Sequence, residues 1–268
     1  MGHDGPVSNS AEPSSAGHVD VARRFPRVTS FRFRRGTLTP NQQRNWDTLW
    51  PEFGRDLAIA ADREPETPFD LPAMFGPTTP VVVEVGSGTG ISTAAMAAAE
   101  PDVGVIAVEV YQPGLAQLLG LIQRGGLTNV RMVRGDAVVV LRELVEPGTL
   151  TGVRVYFPDP WPKSRHHKRR FLQRGTLELI SDRLVDGGVL HIATDHAGYA
   201  DWIAELLATQ DPARPHVVPV TADHPSPISL TRPTTKFEGR AEREGRTVTE
   251  FVYRKPGPAG PRETGITT

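Results

Sequence analysis

From Pro80 onward, short apolar runs alternate with stretches in which apolar residues recur at helical spacing. The runs Val81–Val85, Val105–Val110, Val130–Arg134, Val153–Phe157 and Val189–Thr194 read as strands. The segments between and after them predict helices near 91–99, 112–124, 137–145, 169–184 and 197–209. Such alternation describes βαβ units, and the parallel sheet they build is buried on both faces. After Gln210 the rhythm breaks into proline-rich loops, and Val248–Tyr253 is the expected last strand. The implied fold class is α/β: Rossmann-like, with a mostly parallel central sheet and helices on both faces. No internal repeat is visible.

Upstream of this unit, Thr39-Pro40 pairs an N-cap with proline at the first helical position, and Gln42 falls at the capping-box site. A helix is expected from about 40 until Pro51 interrupts it. Residues 1–20 and 256–268 lack apolar periodicity and read as disordered tails. Residues 21–62 form a basic arm and the N-terminal helix. Residues 63–255 form the α/β domain, which opens on a proline-rich linker over 63–80. The arm carries Arg23, Arg24, Arg27, Arg32, Arg34 and Arg35 interleaved with Phe25, Phe31 and Phe33. It fits a solvated basic segment as well as an RNA-contacting one.

Composition removes several classes. The formal charge of −1 over 268 residues is no general polycation, so affinity for nucleic acid has to come from local patches. The chain has no cysteine, which excludes disulfides, thiolate zinc sites and thiol nucleophiles. No run approaches the roughly 20 apolar residues of a membrane helix, and the N-terminus lacks a secretion signal. Met1-Gly2 could open a myristoylation motif, but Pro6 occupies the position that needs Ser or Thr. A cytoplasmic protein without membrane contact is expected, and no protein partner is evident.

Candidate chemistry collects at the ends of the strands. Val81–Val85 runs into Gly86-Ser87-Gly88-Thr89-Gly90 and then a helix. Dinucleotide sites use G-x-G-x-x-G with the pyrophosphate at the helix start. Here the third glycine comes one residue early, and position 91 is Ile. Glu84, inside the strand, would repel a pyrophosphate but suits an ammonium group such as that of S-adenosylmethionine. Glu109, about 20 residues beyond the turn, stands where an acid can bond both ribose hydroxyls. Asp136, in Gly135-Asp136-Ala137, can receive an exocyclic adenine amine. Acids at strand ends also serve simply as helix caps, and NAD stays open as a competing cofactor.

The fourth strand leads into FPDPWPKSRHHKRR, Phe157 to Arg170. Asp159 is held between Pro158 and Pro160. Asp159 and Trp161 can address a reacting base, although a helix-capping acid and an aromatic that covers the core are equally available. As a helix start the cationic run is badly placed, because cations favour the C-terminal end of the dipole. Phosphate binding is its natural use. His166 and His167 have no carboxylate partner at ligand spacing, so they read as phosphate contacts or solvated, and no metal site is expected.

These motifs together resemble the bacterial tRNA (guanine-N7-)-methyltransferases. Phe157–Arg170 is similar to the family's FPDPWPKxRHxKRR almost letter for letter. Glu84–Gly90, Glu109 and Gly135–Ala137 resemble its cofactor turn and acids. Thr194-Asp195 with Tyr199 resembles its TD…Y segment, and Arg232–Arg240 its RPxTKFExR signature. Arg35-Gly36, Thr39, Gln42 and Leu49-Trp50-Pro51 resemble its N-terminal pattern.

The resemblance implies a class I S-adenosylmethionine-dependent methyltransferase acting on N7 of a guanine in the tRNA variable loop. It implies that Glu84, Gly86, Gly88, Gly90, Glu109, Asp136 and Asp159 bind the cofactor or lie beside it, with Asp159 also catalytic. Lys163, Asp195, Thr235, Lys236, Phe237 and Glu238 would hold the guanosine. Arg165, His166, His167, Lys168, Arg169 and Arg170 would hold the RNA backbone. Three rivals are an exocyclic-amine methyltransferase with a D-P-P-[WY] turn, a non-catalytic RNA-binding protein that kept the fold, and a nicotinamide oxidoreductase.

Overall fold

The valine run Val81–Val85 is the centre of the sheet, buried at every position and paired on both sides with parallel strands. A computed structural model describes residues 29–31, 36–57, 67–221, 224–233, 245 and 247–257. The tail expected over 1–20, all but the first two residues of the tail expected over 256–268, most of the basic arm, and Thr235, Lys236, Phe237 and Glu238 lie outside the described residues.

The described strands are β1 (Gly54–Asp56), β2 (Val81–Val85), β3 (Gly104–Glu109), β4 (Val130–Arg134), β5 (Leu150–Tyr156), β6 (Leu184–Thr194), β7 (Val218–Pro219) and β8 (Thr249–Arg254). They form one sheet in the order β1-β4-β3-β2-β5-β6-β8-β7. All pairings from β1 to β6 are parallel, and β8 runs antiparallel to both β6 and β7. The chain moves outward from β2 to β3 and β4, then returns to place β5 on the other side of β2. This reversal opens a crevice at the carboxyl ends of β2, β3 and β5, the usual ligand position in an open α/β sheet. The fold is the Rossmann-like one expected.

The helices are α1 (Pro40–Phe53), α2 (Leu71–Phe75), α3 (Ile91–Ala99), α4 (Gln112–Gly125), α5 (Ala137–Val139), α6 (Arg174–Arg183) and α7 (Ala197–Ala208). Helix α1 carries the capping box expected, with the Thr39 side chain accepting from the Gln42 amide and the Gln42 side chain accepting from the Thr39 amide. Pro51 does not interrupt α1, which continues to Phe53. Proline there forfeits the bond its own N–H would make and crowds the Asp47 carbonyl, a cost the last turn bears. Trp50 meanwhile stacks on Trp46 at 4.0 Å and donates to Asp56, which fixes the last turn. The proline-rich linker also differs from expectation, since it contains α2, capped by Asp70.

Two other helices depart from the periodicity. After α5 the chain widens into a π segment, Val140–Leu144. The helix expected over 169–184 begins only at Arg174, after a 3₁₀ segment at Ser164–Arg169. The cationic run thus never occupies an α-helix N-terminus, and the conflict with the helix dipole is avoided rather than tolerated.

Candidate active site

The glycine turn after β2 has Gly86, Gly88 and Gly90 at φ of +74°, +58° and +72°, a region that side chains with Cβ rarely enter. The amides of Gly86 and Ser87 donate to Val108 O, that of Gly90 to Ser87 O, and that of Gly88 to the Glu109 carboxylate. With these four N–H groups engaged inside the protein, the turn offers no open array for a pyrophosphate. Glu109 also accepts from the amides of Val110 and Tyr111, so it shapes the turn at the end of β3 as well as facing the crevice. An ionised carboxylate has about four acceptor positions, leaving one for a hydroxyl. Gly114, at the start of α4, closes the packing: a Cβ there would come 2.1 Å from the Gly88 carbonyl oxygen.

Glu84 is 3 % exposed and faces this crevice. Burial pushes its carboxyl above the ordinary range, against the opposing effects of the nearby Thr93 hydroxyl and the Arg154 guanidinium. Glu84 Oε2 has no hydrogen-bond partner, and neither do the hydroxyls of Ser87 and Ser92. A buried acceptor left unpaired costs on the order of 1–3 kcal/mol. That cost marks a place for a cationic ligand, and the α-amino group of S-adenosylmethionine fits it. The crevice has a volume of about 450 Å³. Gly135 and Ala137 line it, while the Asp136 side chain accepts from Val138 N as the cap of α5.

The PDP turn closes the other side. Phe157 and Trp161, which bracket it, have φ of +51° and +45°. Each also precedes a proline, which normally forces an extended backbone. Such residues cost on the order of 1–3 kcal/mol each and persist only where their surroundings dictate them. Phe157 N donates to Ala193 O of β6. Arg170, 3 % exposed, donates to Pro160 O and stacks on Tyr199 and Trp202. Asp159, half-buried between these anchors, lines the same crevice as Glu84.

Trp161 is 2 % exposed, so it cannot stack on a base. Its indole N–H donates to Ser30 O, and the Arg169 guanidinium lies 3.8 Å from its ring centroid. Arg169 also donates to Thr29 O and Phe31 O. A strap from the N-terminal arm is thereby pinned over the crevice, which Ser30 and Phe31 help to line. Arg169 and Arg170 are committed to protein groups rather than to solvent.

Lys163, Arg165 and Lys168 are exposed, whereas His166 and His167 meet the edges of Trp161 and Trp202. Asp195 follows β6, the strand beside β5, and is half-buried. No group of three or more potential metal ligands converges among the described residues.

A family profile described as "Putative methyltransferase" matches residues 78–251. A tRNA (guanine-N(7)-)-methyltransferase of Mycolicibacterium paratuberculosis is 56% identical over 86% of this chain and 88% of its own length. The chain belongs to the tRNA (guanine-N(7)-)-methyltransferase family. The family member from Nocardia farcinica is 52% identical over 94% of this chain and 93% of its own, and that from Mycobacterium leprae is 51% identical over 88% and 99%. The family's methyl donor is S-adenosylmethionine, in agreement with the unpaired Glu84 carboxylate. Sequence reasoning placed Phe31 in the basic arm without its seat over the crevice, and it missed Ser30, the packing glycine Gly114, and a row of buried polar residues on β5 and β6. Only Gly114, beside Pro113 at a helix start, left a visible trace.

Proposed function

We propose that this protein methylates N7 of a guanine in the tRNA variable loop, in the cytoplasm. The observation that carries the reading is the placement of Asp159 in the same crevice as the unpaired Glu84 carboxylate, with Lys163, Arg165 and Lys168 exposed on the adjoining segment. S-adenosylmethionine supplies a methyl group activated by a sulfonium. Glu84 would hold its ammonium group, and Glu109 would accept from a ribose hydroxyl.

Guanine N7 already carries a lone pair, so no proton has to leave before it accepts the methyl group that the bound cofactor would supply. The enzyme's work is therefore alignment, worth on the order of 7–11 kcal/mol in well-oriented systems. Positive charge arrives on the purine, and the Asp159 carboxylate beside it stabilises that charge. Asp195, Lys163 and the segment Thr235–Glu238 hold the guanosine. Lys163, Arg165 and Lys168 neutralise flanking phosphates.

The test is incubation of the purified protein with radiolabelled S-adenosylmethionine and unmodified tRNA transcripts, followed by cleavage specific for N7-methylguanine. Label at one variable-loop guanine, lost when that guanine is replaced, is the expected result. Label on another base would reassign the nucleophile, and tRNA binding without label would remove the catalytic reading.

A further inference from the structure

The polar side chains of Tyr156 on β5, His191 on β6 and Glu250 on β8 join with Arg232 into a connected chain that runs from the crevice wall at Tyr156, through buried His191, to the exposed carboxylate of Glu250. Arg232 Nη2 pairs with Glu250 Oε1 at 2.8 Å, and Glu250 Oε2 meets His191 Nε2 at 2.9 Å. His191 Nδ1 lies 3.1 Å from the Tyr156 hydroxyl. The side chain of Arg232 is 3 % exposed, His191 is 1 % exposed, and Tyr156 is buried. The Arg232 guanidinium lies 5.1 Å from the Phe157 ring centroid and 6.0 Å from that of Tyr156.

The direction of each hydrogen bond follows from what the groups can do. An ionised Glu250 only accepts, so His191 donates from Nε2. Burial pushes the imidazole towards its neutral form, though its bond to Glu250 opposes this. Neutral His191 accepts at Nδ1, so the Tyr156 O–H is the donor there. Burial raises the Tyr156 phenol and keeps that proton in place. Every link then has one orientation, and the chain ends on the ring of Phe157.

Phe157 is the residue at φ +51° that turns the backbone from β5 towards Asp159. A strained non-glycine residue must be held by its neighbours. Among the groups that hold it are the Ala193 carbonyl, the apolar cluster of Met96, Tyr156 and Ala193, and the guanidinium of Arg232 on its ring. We propose that Glu250 and His191 are positioning residues for methyl transfer, holding Arg232 and Tyr156 so that the Phe157 turn presents Asp159 in its working place. The inference rests on the role given to Asp159 above.

Glu250→Gln keeps the side-chain shape but removes the charge that fixes Arg232. The expected result is a fall in kcat on tRNA on the order of tenfold to a hundredfold, the usual consequence of a small misplacement at a reacting centre. The calorimetric Kd for S-adenosylmethionine and the salt dependence of tRNA binding stay within twofold of wild type. Combining Glu250→Gln with Arg232→Met costs no more than the worse single change, because both break one link. Additive losses would mean two unrelated structural contacts. Tyr156→Phe, which deletes one oxygen and keeps the ring beneath Arg232, is the second variant, with a smaller loss in kcat expected.

An unchanged kcat in folded Glu250→Gln and Tyr156→Phe overturns the proposal, as does a loss of cofactor affinity that accounts for the loss of rate. Wild-type enzyme that makes no N7-methylguanine overturns the functional reading instead. Labelling the protein's four tryptophans with 5-fluorotryptophan separates the two failures without activity. In Glu250→Gln the Trp161 resonance should shift while those of Trp46 and Trp50 stay in place. A Trp161 resonance that does not move overturns the proposal.

Discussion

Arg169→Ala separates the role suggested by the sequence from the one given by the fold. In the basic run Arg169 reads as a phosphate ligand, yet its guanidinium donates to Thr29 O at 3.1 Å and to Phe31 O at 2.9 Å and stacks on Trp161. A hydrogen bond from a charged donor contributes about 1.5–3 kcal/mol, towards the lower end for this half-exposed side chain. The cation–π contact adds about 0.5–1 kcal/mol. The strap then loses about 2–4 kcal/mol of anchorage, while the bond from Trp161 to Ser30 O stays in place. If about 1.4 kcal/mol of that reaches the cofactor site, where Ser30 and Phe31 line the crevice, the Kd for S-adenosylmethionine rises about tenfold. The assays are calorimetry with S-adenosylmethionine and a salt series of tRNA binding. A lost phosphate contact would lower the slope of log affinity against log salt by about 0.7–0.9. The expected result is weaker cofactor binding with an unchanged salt slope. A reduced slope with unchanged cofactor affinity would refute the strap and restore the phosphate reading.

Three further outcomes follow from the same geometry. Asp159→Asn should lower kcat by about 10²–10³, the usual cost of removing one electrostatic stabiliser, while its calorimetric cofactor Kd moves only a few-fold; a matched loss in both would place Asp159 on the cofactor alone. Burial raises the Glu84 pKa on folding, so its contribution to stability is present below the unfolded pKa and is lost as pH rises through the folded one. Glu84→Gln should therefore melt higher than ligand-free wild type, by more at pH 8 than at pH 5, and lose the thermal shift caused by S-adenosylmethionine; a variant less stable at pH 8 would contradict this. Gly114→Ala should weaken cofactor binding at least about tenfold and cost on the order of 1–3 kcal/mol of stability, since the new Cβ meets a backbone oxygen rather than a movable side chain; wild-type affinity by calorimetry would show that the glycine turn yields easily.

The strands were legible because a buried parallel strand must be apolar on both faces, which leaves a run of valines as its mark. Val81–Val85 and Val130–Arg134 coincide with their strands, and the others differ at their ends, where pairing partners decide. The capping box of α1 was equally legible, being complete within four residues. Harder to read were Arg154 and His191, ionisable residues fully buried inside apolar strands, whose partners come from α3's C-cap and from β8. The three-residue β1 gave no periodic signal, and it exists because β4 offers it an edge.

The sequence by itself determined the α/β class, the glycine turn with its acid, the PDPW turn, and the family they resemble. All of these are encoded by residues within a few positions of one another. Tertiary structure alone decided what each cation in the basic run does. Arg169 finds its acceptor 140 residues earlier in the chain, and Arg170 closes on Pro160, Tyr199 and Trp202, while Lys163, Arg165 and Lys168 stay exposed. A local pattern records that a donor is present. Which acceptor it meets depends on which distant segment folds against it.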